Sequence, residues 1–534
     1  MVSMKKKLLI LSCVLCSAIV SAQPVIQWQK TIGGSDLDEL ISVQQTADHG
    51  FILGGLSRSN ISGIKSENSQ GALDYWVVKL DSSGNIEWQN TIGGNDDEEL
   101  FSVAQTSDGG YILGGVSESD ISGDKTENHI GSYDYWVVKL DAGGNIQWQN
   151  TIGGTGDDRL YSVSQTVDGG YILGGWSLSN ISGDKTENSN GSWDYWVLKL
   201  DNTGNIQWQN TIGGSNGDYL YSVRQTQDGG YILGGASDSN ISGDKTENTN
   251  GGRDYWVVKL DANGVVQWQN TIGGNLDDML YSLYQTSDGG YILGGSSLSA
   301  ISGDKTENCW GNNDFWIVKI NSTGVIEWEN TIGGSDDDRL WSIQQTTDGG
   351  YVAGGWSRSN ISGDKTDNSN GSNDYWIVKI NPSGNIQWQD AIGGSSDDRA
   401  WSIQQTADGG FVLAGESTSG ISGDKTENSY GDIDYWVVKL APDFSTDVKE
   451  NSNQSAMFDI FPNPANDVVI VRLPQADVVT GELHVFNLLG KEVIQEKLSG
   501  EKEILFNISE FAEGVYVFEI KTQQNIYQAK FLKQ

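Results

Sequence analysis

Carboxylate and amide side chains recur in two polar segments of this chain at a spacing that permits metal binding. Asp158 precedes a short apolar run, and Asp184, Glu187 and Asn188 lie in a polar segment that ends at Asp194. Such oxygen groups are the ligands that Ca²⁺ prefers, although their spacing matches no EF-hand loop. The sequence therefore permits a calcium site. The alternative is that these short side chains cap their own loop backbone and tie neighbouring segments together, which alone would account for the residue types.

Tryptophan is the second residue type that could recognise a ligand. The chain has 20 Trp, and 14 of them recur at two fixed places in a long repeat, where we predict core positions. Two others, Trp341 and Trp401, replace Tyr or Phe in a predicted strand, which favours packing. Four more lie in polar segments or directly after Gly-Gly, and an exposed indole ring there could stack on a sugar face or pack within a loop. The predicted ligand-binding residues are Trp176, Trp193, Trp310 and Trp356.

Acidic residues are abundant, yet the sequence does not predict a catalytic site. Catalysis by two carboxyl groups requires an acid and a base in unlike environments, whereas these acids recur almost identically along the chain. The histidines are His49, His129 and His484, and none belongs to a nucleophile or metal motif. We therefore expect a protein that is not an enzyme. A polysaccharide-active enzyme is the alternative.

A strict repeat of 60 residues positions these side chains. The motif I/V-Q/E-W-Q/E returns from Trp28 to Trp388 with no residue inserted or lost. Each copy contains four short apolar runs separated by Gly and Asp turns, and none has helical spacing. Four antiparallel strands per copy are typical of a propeller blade. The sequence thus predicts an all-β fold, a seven-bladed β-propeller with four-stranded blades.

The two ends of the repeat region predict how the ring closes. The copy that begins near Asp398 stops after its third strand at Leu440, and an orphan strand lies at residues 26–32. Pairing these ends completes the seventh blade and removes two exposed sheet edges. The blade resembles the kelch blade, and its G-G-Y-I-L-G-G and D-Y-W-V-V-K-L-D runs are similar to repeats of secreted bacterial and archaeal propellers.

Strand order predicts which loops share a face of the ring, because successive connections in a blade alternate between its two ends. The Asp-Gly-Gly hairpin (168–170) and the Asp-x-x-Gly turn (201–204) belong to one face, here called the tight-turn face. The fourth-to-first loop (335–339) and the second-to-third loop (362–368) belong to the other, here called the long-loop face. The candidate calcium and Trp residues therefore gather in or beside the long-loop face.

The N-terminus predicts a secretory signal peptide over residues 1–22, because three Lys at 5–7 precede the apolar run 8–20. A lipoprotein signal ending at Cys13 is the alternative, but it would leave a shorter apolar core than such signals need. After cleavage Cys309 is the single cysteine of the mature chain, so no intramolecular disulfide is expected. No other segment approaches the roughly 20 apolar residues of a transmembrane span.

A second domain follows the propeller (23–441) and a polar linker (442–456), and it covers residues 457–534. It contains the motifs F-P-N-P-A-N-D, V-F-N-L-L-G-K-E-V, G-V-Y-V-F-E-I and K-F-L-K, which begin at Phe461, Val485, Gly514 and Lys530. In this order they resemble the type A C-terminal sorting domain of the type IX secretion system of Bacteroidota. The resemblance implies a small C-terminal β-sandwich, type IX secretion machinery as a partner, and a mature protein that is released or attached to the outer-membrane surface.

The net charge of the chain restricts the classes of molecule that it is expected to bind. The formal net charge is −38, from 33 Lys plus Arg against 71 Asp plus Glu. Such a surface repels phosphate backbones, so nucleic acid is excluded as a natural partner. We predict a secreted or cell-surface monomer that binds an extracellular glycan or protein. A stiff structural or adhesion component is a further alternative.

Overall fold

A computed structural model describes residues 23–442 continuously, and it describes the C-terminal part in segments. Those segments are residues 459–461, 467–472, 480–487, 492–499, 503–509, 511, 514–522 and 526–533. The chain divides into two units, Met1–Ser445 and Thr446–Gln534. The predicted signal peptide, and the predicted linker beyond residue 442, lie outside the described residues.

Seven antiparallel sheets of four strands form the first unit, and each sheet is one blade. The first strands are Asp38–Gln45, Glu98–Gln105, Asp158–Gln165, Asp218–Gln225, Asp278–Gln285, Asp338–Gln345 and Asp398–Gln405. The second strands are Phe51–Ser57, Tyr111–Ser117, Tyr171–Ser177, Tyr231–Ser237, Tyr291–Ser297, Tyr351–Ser357 and Phe411–Ser417.

The outer two strands of each blade follow the same order. The third strands are Asp74–Leu80, Asp134–Leu140, Asp194–Leu200, Asp254–Leu260, Asp314–Ile320, Asp374–Ile380 and Asp434–Leu440. The fourth strands of blades 1 to 6 are Ile86–Ile92, Ile146–Ile152, Ile206–Ile212, Val266–Ile272, Ile326–Ile332 and Ile386–Ile392, and that of blade 7 is Ile26–Ile32. The seven-bladed propeller predicted from the repeat is thereby confirmed.

Turn chemistry and buried third strands explain why each copy folds as a blade. Gly169 closes the first hairpin of blade 3 with φ of 84°, a conformation that glycine adopts without strain. The third strand is buried along its whole length, with Trp196 fully covered. Its Lys199 is also buried, and its Nζ contacts a carboxylate oxygen of Asp168 at 2.9 Å. That ion pair ties the third strand to the first hairpin on the tight-turn face.

Adjacent blades are joined by a buried aromatic pair. The Tyr75 hydroxyl donates to the backbone carbonyl of Trp136 in the next blade at 3.0 Å, and the two rings lie 4.8 Å apart. The same hydrogen bond occurs at six of the seven junctions. At the remaining junction Phe315 keeps the ring contact with Trp376, at 4.7 Å, without a hydroxyl.

The N-terminal strand closes the ring as the sequence predicted. Ile26–Ile32 pairs antiparallel with Asp434–Leu440, the third strand of blade 7. The junction between the last and first blades is an ordinary one, because Tyr435 donates to the Trp76 carbonyl at 3.0 Å. The chain termini of the propeller therefore meet inside one sheet rather than leaving two open edges.

The fourth-strand tryptophans differ from the sequence prediction. They were predicted to be core, but in blades 1 to 5 and blade 7 they are only half-buried, and Trp388 is the buried exception. The reason is that the fourth strand forms the outer edge of the ring. There Trp88 covers the next blade, with its ring 5.6 Å from Tyr111 and against Gly144, where any side chain would collide with it.

Two sheets form the second unit. One contains Asp459–Phe461, Val468–Arg472 and Glu503–Asn507; the other contains Glu492–Ser499, Thr480–Asn487, Gly514–Thr522 and Ile526–Lys533. Side chains of both sheets share one core, in which Phe506 meets Phe518 at 5.2 Å. This is the expected β-sandwich. The described residues of the two units contain no helical segment with the length and hydrophobicity of a membrane span.

Removing residues 23–33 tests the closure. The deletion exposes the edge of strand Asp434–Leu440 and removes one blade-to-blade contact surface. We expect the shortened protein to aggregate or to lose its cooperative thermal transition, measured by size-exclusion chromatography and circular dichroism. A monomer with unchanged melting would contradict this closure.

The natural Phe315 junction provides a matched test of the tyrosine hydrogen bond. Tyr195→Phe removes the bond to the Trp256 carbonyl and should lower the free energy of unfolding by about 1 kcal/mol. Phe315→Tyr should raise it by a similar amount, because Gly355 leaves room for the hydroxyl as Gly115 does for that of Tyr75. Urea denaturation of both variants measures the two changes. Equal effects of the same sign would show that the hydroxyl does not stabilise the junction.

Candidate functional site

The seven blades are replicates of one folding unit, so they show which positions the fold dictates. Where packing requires a residue, the same type returns in every blade, as with the third-strand Trp. Exposed turn positions differ between blades, as expected of surface residues. Some half-buried positions on the first strands also carry different residues, although their secondary structure and burial are the same in all seven blades. These positions line a cavity along the axis of the ring.

A belt of aromatic side chains surrounds this central channel, whose cavity measures about 490 Å³. Successive rings contact each other with centroids between 4.0 and 5.2 Å apart. All are half-buried, so each presents part of its ring to the cavity. Blade 1 interrupts the belt with Ile41. The residues of this aromatic belt are Phe101, Tyr161, Tyr221, Tyr281, Trp341 and Trp401.

A β-bulge in every first strand brings more side chains into the channel. The pairing register shifts between Leu160 and Ser162 in blade 3, and the equivalent shift occurs in each blade. Bulges re-aim side chains in this way. The belt position and the serine after it therefore both line the cavity, and Leu160 faces the blade core.

A second set of side chains that differ between blades lies two residues before the belt position, toward the opening of the channel on the long-loop face. We call this opening the mouth and the set the mouth ring. It consists of Glu39, Glu99, Arg159, Tyr219, Met279, Arg339 and Arg399. Its arginines are paired with neighbouring acids: Arg159 with Asp157 at 3.2 Å, and Arg399 with Glu416 at 3.3 Å. Burial, followed by the negative charge of Glu39, raises the pKa of Glu416 to about 7. Burial also raises the pKa of Glu39. The mouth ring therefore carries acids in blades 1 and 2, arginines in blades 3, 6 and 7, and uncharged residues in blades 4 and 5.

Two of the predicted ligand-binding tryptophans meet at this mouth. The rings of Trp176 and Trp193 lie 4.1 Å apart and nearly perpendicular, and the Arg159 guanidinium lies 5.7 Å from the Trp176 ring. Trp356 occupies the equivalent second-strand position in blade 6, with Arg339 at 5.4 Å. Trp176 and Trp356 are each only 8% exposed. They were predicted to be exposed, but the mouth-ring arginines cover them.

The fourth predicted residue, Trp310, stands apart from the channel. It is 60% exposed, and its Nε1 donates to Asp364 of the next blade at 3.0 Å. Asn190 holds the equivalent position in blade 3 and donates to Asp244 at 2.8 Å. Trp310 thus makes the same contact between loops and adds an exposed ring to the long-loop face. Ligand contact by any of the four tryptophans stays a prediction.

The five candidate calcium ligands each accept a backbone N–H, four of them from loop residues and Glu187 from the edge strand Ile206–Ile212. Asp158 Oδ2 accepts from the Gly154 N–H at 2.7 Å, and Glu187 Oε2 accepts from the Thr211 N–H at 2.7 Å. The remaining three, Asp184, Asn188 and Asp194, accept from the backbone N–H groups of Gly153, Ile181 and Asn190. In the described part of the chain, no three His, Cys, Asp or Glu side chains are grouped to hold a metal ion. These contacts are those of the capping alternative.

Sequence reasoning missed the aromatic belt. Trp341 and Trp401 were assigned to packing, and they do contact each other, with ring centroids 4.4 Å apart. They also line the cavity together with Tyr221 and Tyr281. The signal in the sequence was the belt position of the first strand, where blades 2 to 7 carry aromatic residues of different kinds and blade 1 carries Ile41. Its inward direction follows from the bulge, which the alternating pattern does not reveal.

Comparison with known proteins finds partial similarities. Regulatory protein FlaEY of Caulobacter vibrioides is 26% identical over 184 residues, a match that covers 34% of this chain and only 18% of that protein. Sqt1 from Chaetomium thermophilum is similar in structure over 78% of this chain and 100% of its own, with 12% identity and a TM-score of 0.40. The Neurospora crassa Pan2 WD40 domain matches 77% of this chain and 95% of its own, with 10% identity and a TM-score of 0.41.

The C-terminal unit matches a family directly. Residues 459–534 match the family described as Secretion system C-terminal sorting domain. The match covers the two-sheet unit and agrees with the motifs that resemble type IX sorting domains. The chain therefore carries a C-terminal sorting domain after a seven-bladed β-propeller, and this domain indicates type IX export to the cell surface or extracellular space.

Proposed function

We propose that the propeller is a non-catalytic, extracellular glycan-binding module and that its ligand enters the central channel. The observation that carries this proposal is the aromatic belt. Six rings line one cavity in a repeat that otherwise returns nearly the same residues. Aromatic rings bury the C–H face of a sugar and leave its hydroxyl groups free for hydrogen bonds. The cavity volume, about 490 Å³, lies in the range of small-ligand sites.

Polar groups next to the belt suit the hydroxyl groups of a sugar. Glu39 lines the cavity at the long-loop end, and Gln44 and Gln404 line it at the other end. Carboxylates accept hydrogen bonds, whereas amides both donate and accept them. A glycan longer than the channel would continue over the long-loop face, where Trp310 exposes its ring.

The enzymatic alternative has one supporting observation. Glu39, Glu99 and Glu416 are blade-specific acids at the mouth, and catalysis requires such differences. However, Glu416 is 5% exposed and committed to an ion pair with Arg399. An acid in that position has little access to a substrate. Among the residues that line the cavity, Glu39 is the one carboxylic acid, so the pair of acids that such catalysis requires is not found there. Binding without catalysis therefore accounts better for the site.

Replacing belt residues with isoleucine tests the proposal, because blade 1 already carries Ile41 there and folds like the others. We expect Tyr221→Ile and Trp341→Ile to weaken glycan binding about tenfold each, or about 1.4 kcal/mol, through loss of ring stacking. A glycan array of the mature protein identifies ligands, and calorimetry with a disaccharide gives affinities. Thermal melting checks that each variant is folded.

Two controls make the result specific. Trp310→Asn restores the residue type of Asn190 outside the channel, so it should leave disaccharide affinity unchanged. EDTA should also leave binding unchanged, because the candidate calcium ligands already accept backbone N–H groups. Loss of binding in EDTA would instead favour the calcium hypothesis. Full affinity in both folded belt variants, or the absence of any glycan ligand, would contradict the proposed site.

A further inference from the structure

The channel carries one unneutralised arginine at the end away from the mouth ring. Arg224 lines the cavity three residues beyond the belt residue Tyr221, which corresponds to about 10 Å along a strand. The six equivalent positions carry only uncharged residues. They are Gln44, Ala104, Ser164, Tyr284, Gln344 and Gln404. At this position of the first strand, blade 4 alone carries a positive charge.

The contacts of Arg224 leave its charge available. Its Nη2 donates to the Tyr284 hydroxyl at 2.8 Å, and its guanidinium lies 4.4 Å from the Tyr284 ring. Its Nε has no hydrogen-bond partner among the described residues. Arg159, Arg339 and Arg399 in the mouth ring each have a carboxylate within 4.0 Å, whereas no such pair forms at Arg224 in the described part of the chain. Tyr284 therefore orients the guanidinium without neutralising it.

Other side chains at this end of the channel also favour an anion. Gln44 and Gln404 line the same end of the cavity, and each side-chain oxygen accepts from a neighbouring first strand, from Gln105 N–H and Gln45 N–H, at 2.6 Å. Their Oε1 atoms are thus occupied and their NH₂ groups remain as donors. Arg224 belongs to blade 4 and these glutamines to blades 1 and 7, so the amide donors lie across the channel from the guanidinium. A guanidinium that is oriented by the Tyr284 hydroxyl and has no carboxylate partner matches the oxygens of a carboxylate.

We propose that the channel binds an acidic sugar, with the sugar carboxylate on Arg224 and the sugar ring against the aromatic belt. This inference rests on the proposed glycan function and specifies its substrate class. The site is polarised, because Glu39 lies at the mouth and Arg224 at the far end. The ligand is therefore oriented with its carboxylate toward Arg224 and its hydroxyl groups toward Glu39. Uronic acids have this arrangement of groups.

Calorimetry with matched sugars tests the inference on residues 23–534, which is the chain without its predicted signal peptide. The probes are oligosaccharides of glucuronic, galacturonic and mannuronic acid and their neutral counterparts of the same length. We expect at least one acidic sugar to bind tenfold or more tightly than its neutral counterpart. Arg224→Gln should abolish that preference and leave neutral-sugar affinity within twofold. The variant should fold, because Gln44 and Gln404 already occupy equivalent positions.

The outcomes separate this inference from the proposed function. Arg58→Gln removes an arginine that is paired with Asp36 outside the channel, so it should keep the acidic preference. If neutral sugars bind and no acidic sugar is preferred, or if Arg224→Gln weakens both classes equally, the acidic-sugar inference is wrong and the glycan function stands. If no sugar of either class binds, both are wrong. A preference retained in Arg224→Gln would also overturn the assignment.

Discussion

The third-strand tyrosine of each blade reaches the tryptophan of the next and donates its hydroxyl to the backbone carbonyl there, as Tyr75 does to Trp136. Both side chains are fully buried, so each junction removes two large aromatic surfaces from water. Because nearly the same pair joins every two blades, each blade meets its neighbour in the same way. A ring built from equal junctions can close on itself, and Tyr435 makes the final contact with Trp76.

The junctions also leave the centre of the ring free to vary. They use the third strands, whereas the first strands meet around the channel through contacts between belt rings and through hydrogen bonds to backbone. The Ser42 hydroxyl, for example, accepts from the Val103 N–H of the next blade at 3.3 Å. The belt position is Ile in blade 1, Phe in blade 2, Tyr in blades 3 to 5 and Trp in blades 6 and 7, yet all seven blades have the same strands. The chemistry there can therefore differ between blades without changing the fold. Function on a propeller resides in such sites rather than in the fold itself.

Sequence predicted the architecture well because its signals are local and repeated. Alternating apolar residues and Gly turns define each strand, and the unmatched runs at 26–32 and 434–440 define the closure. The site was harder to predict because it depends on contacts between distant residues. Trp176 meets Trp193 only because strand pairing and loop path bring them together. Likewise, the capping role of Glu187 is visible only in its bond to Thr211.

The most direct measurement is a crystal structure of the mature protein with a bound oligosaccharide from the glycan array. The account predicts a sugar ring within the central channel, against belt residues such as Tyr221, Tyr281 and Trp341. Sugar bound solely to the outer loops, for instance on Trp310, with none in the channel, would contradict it.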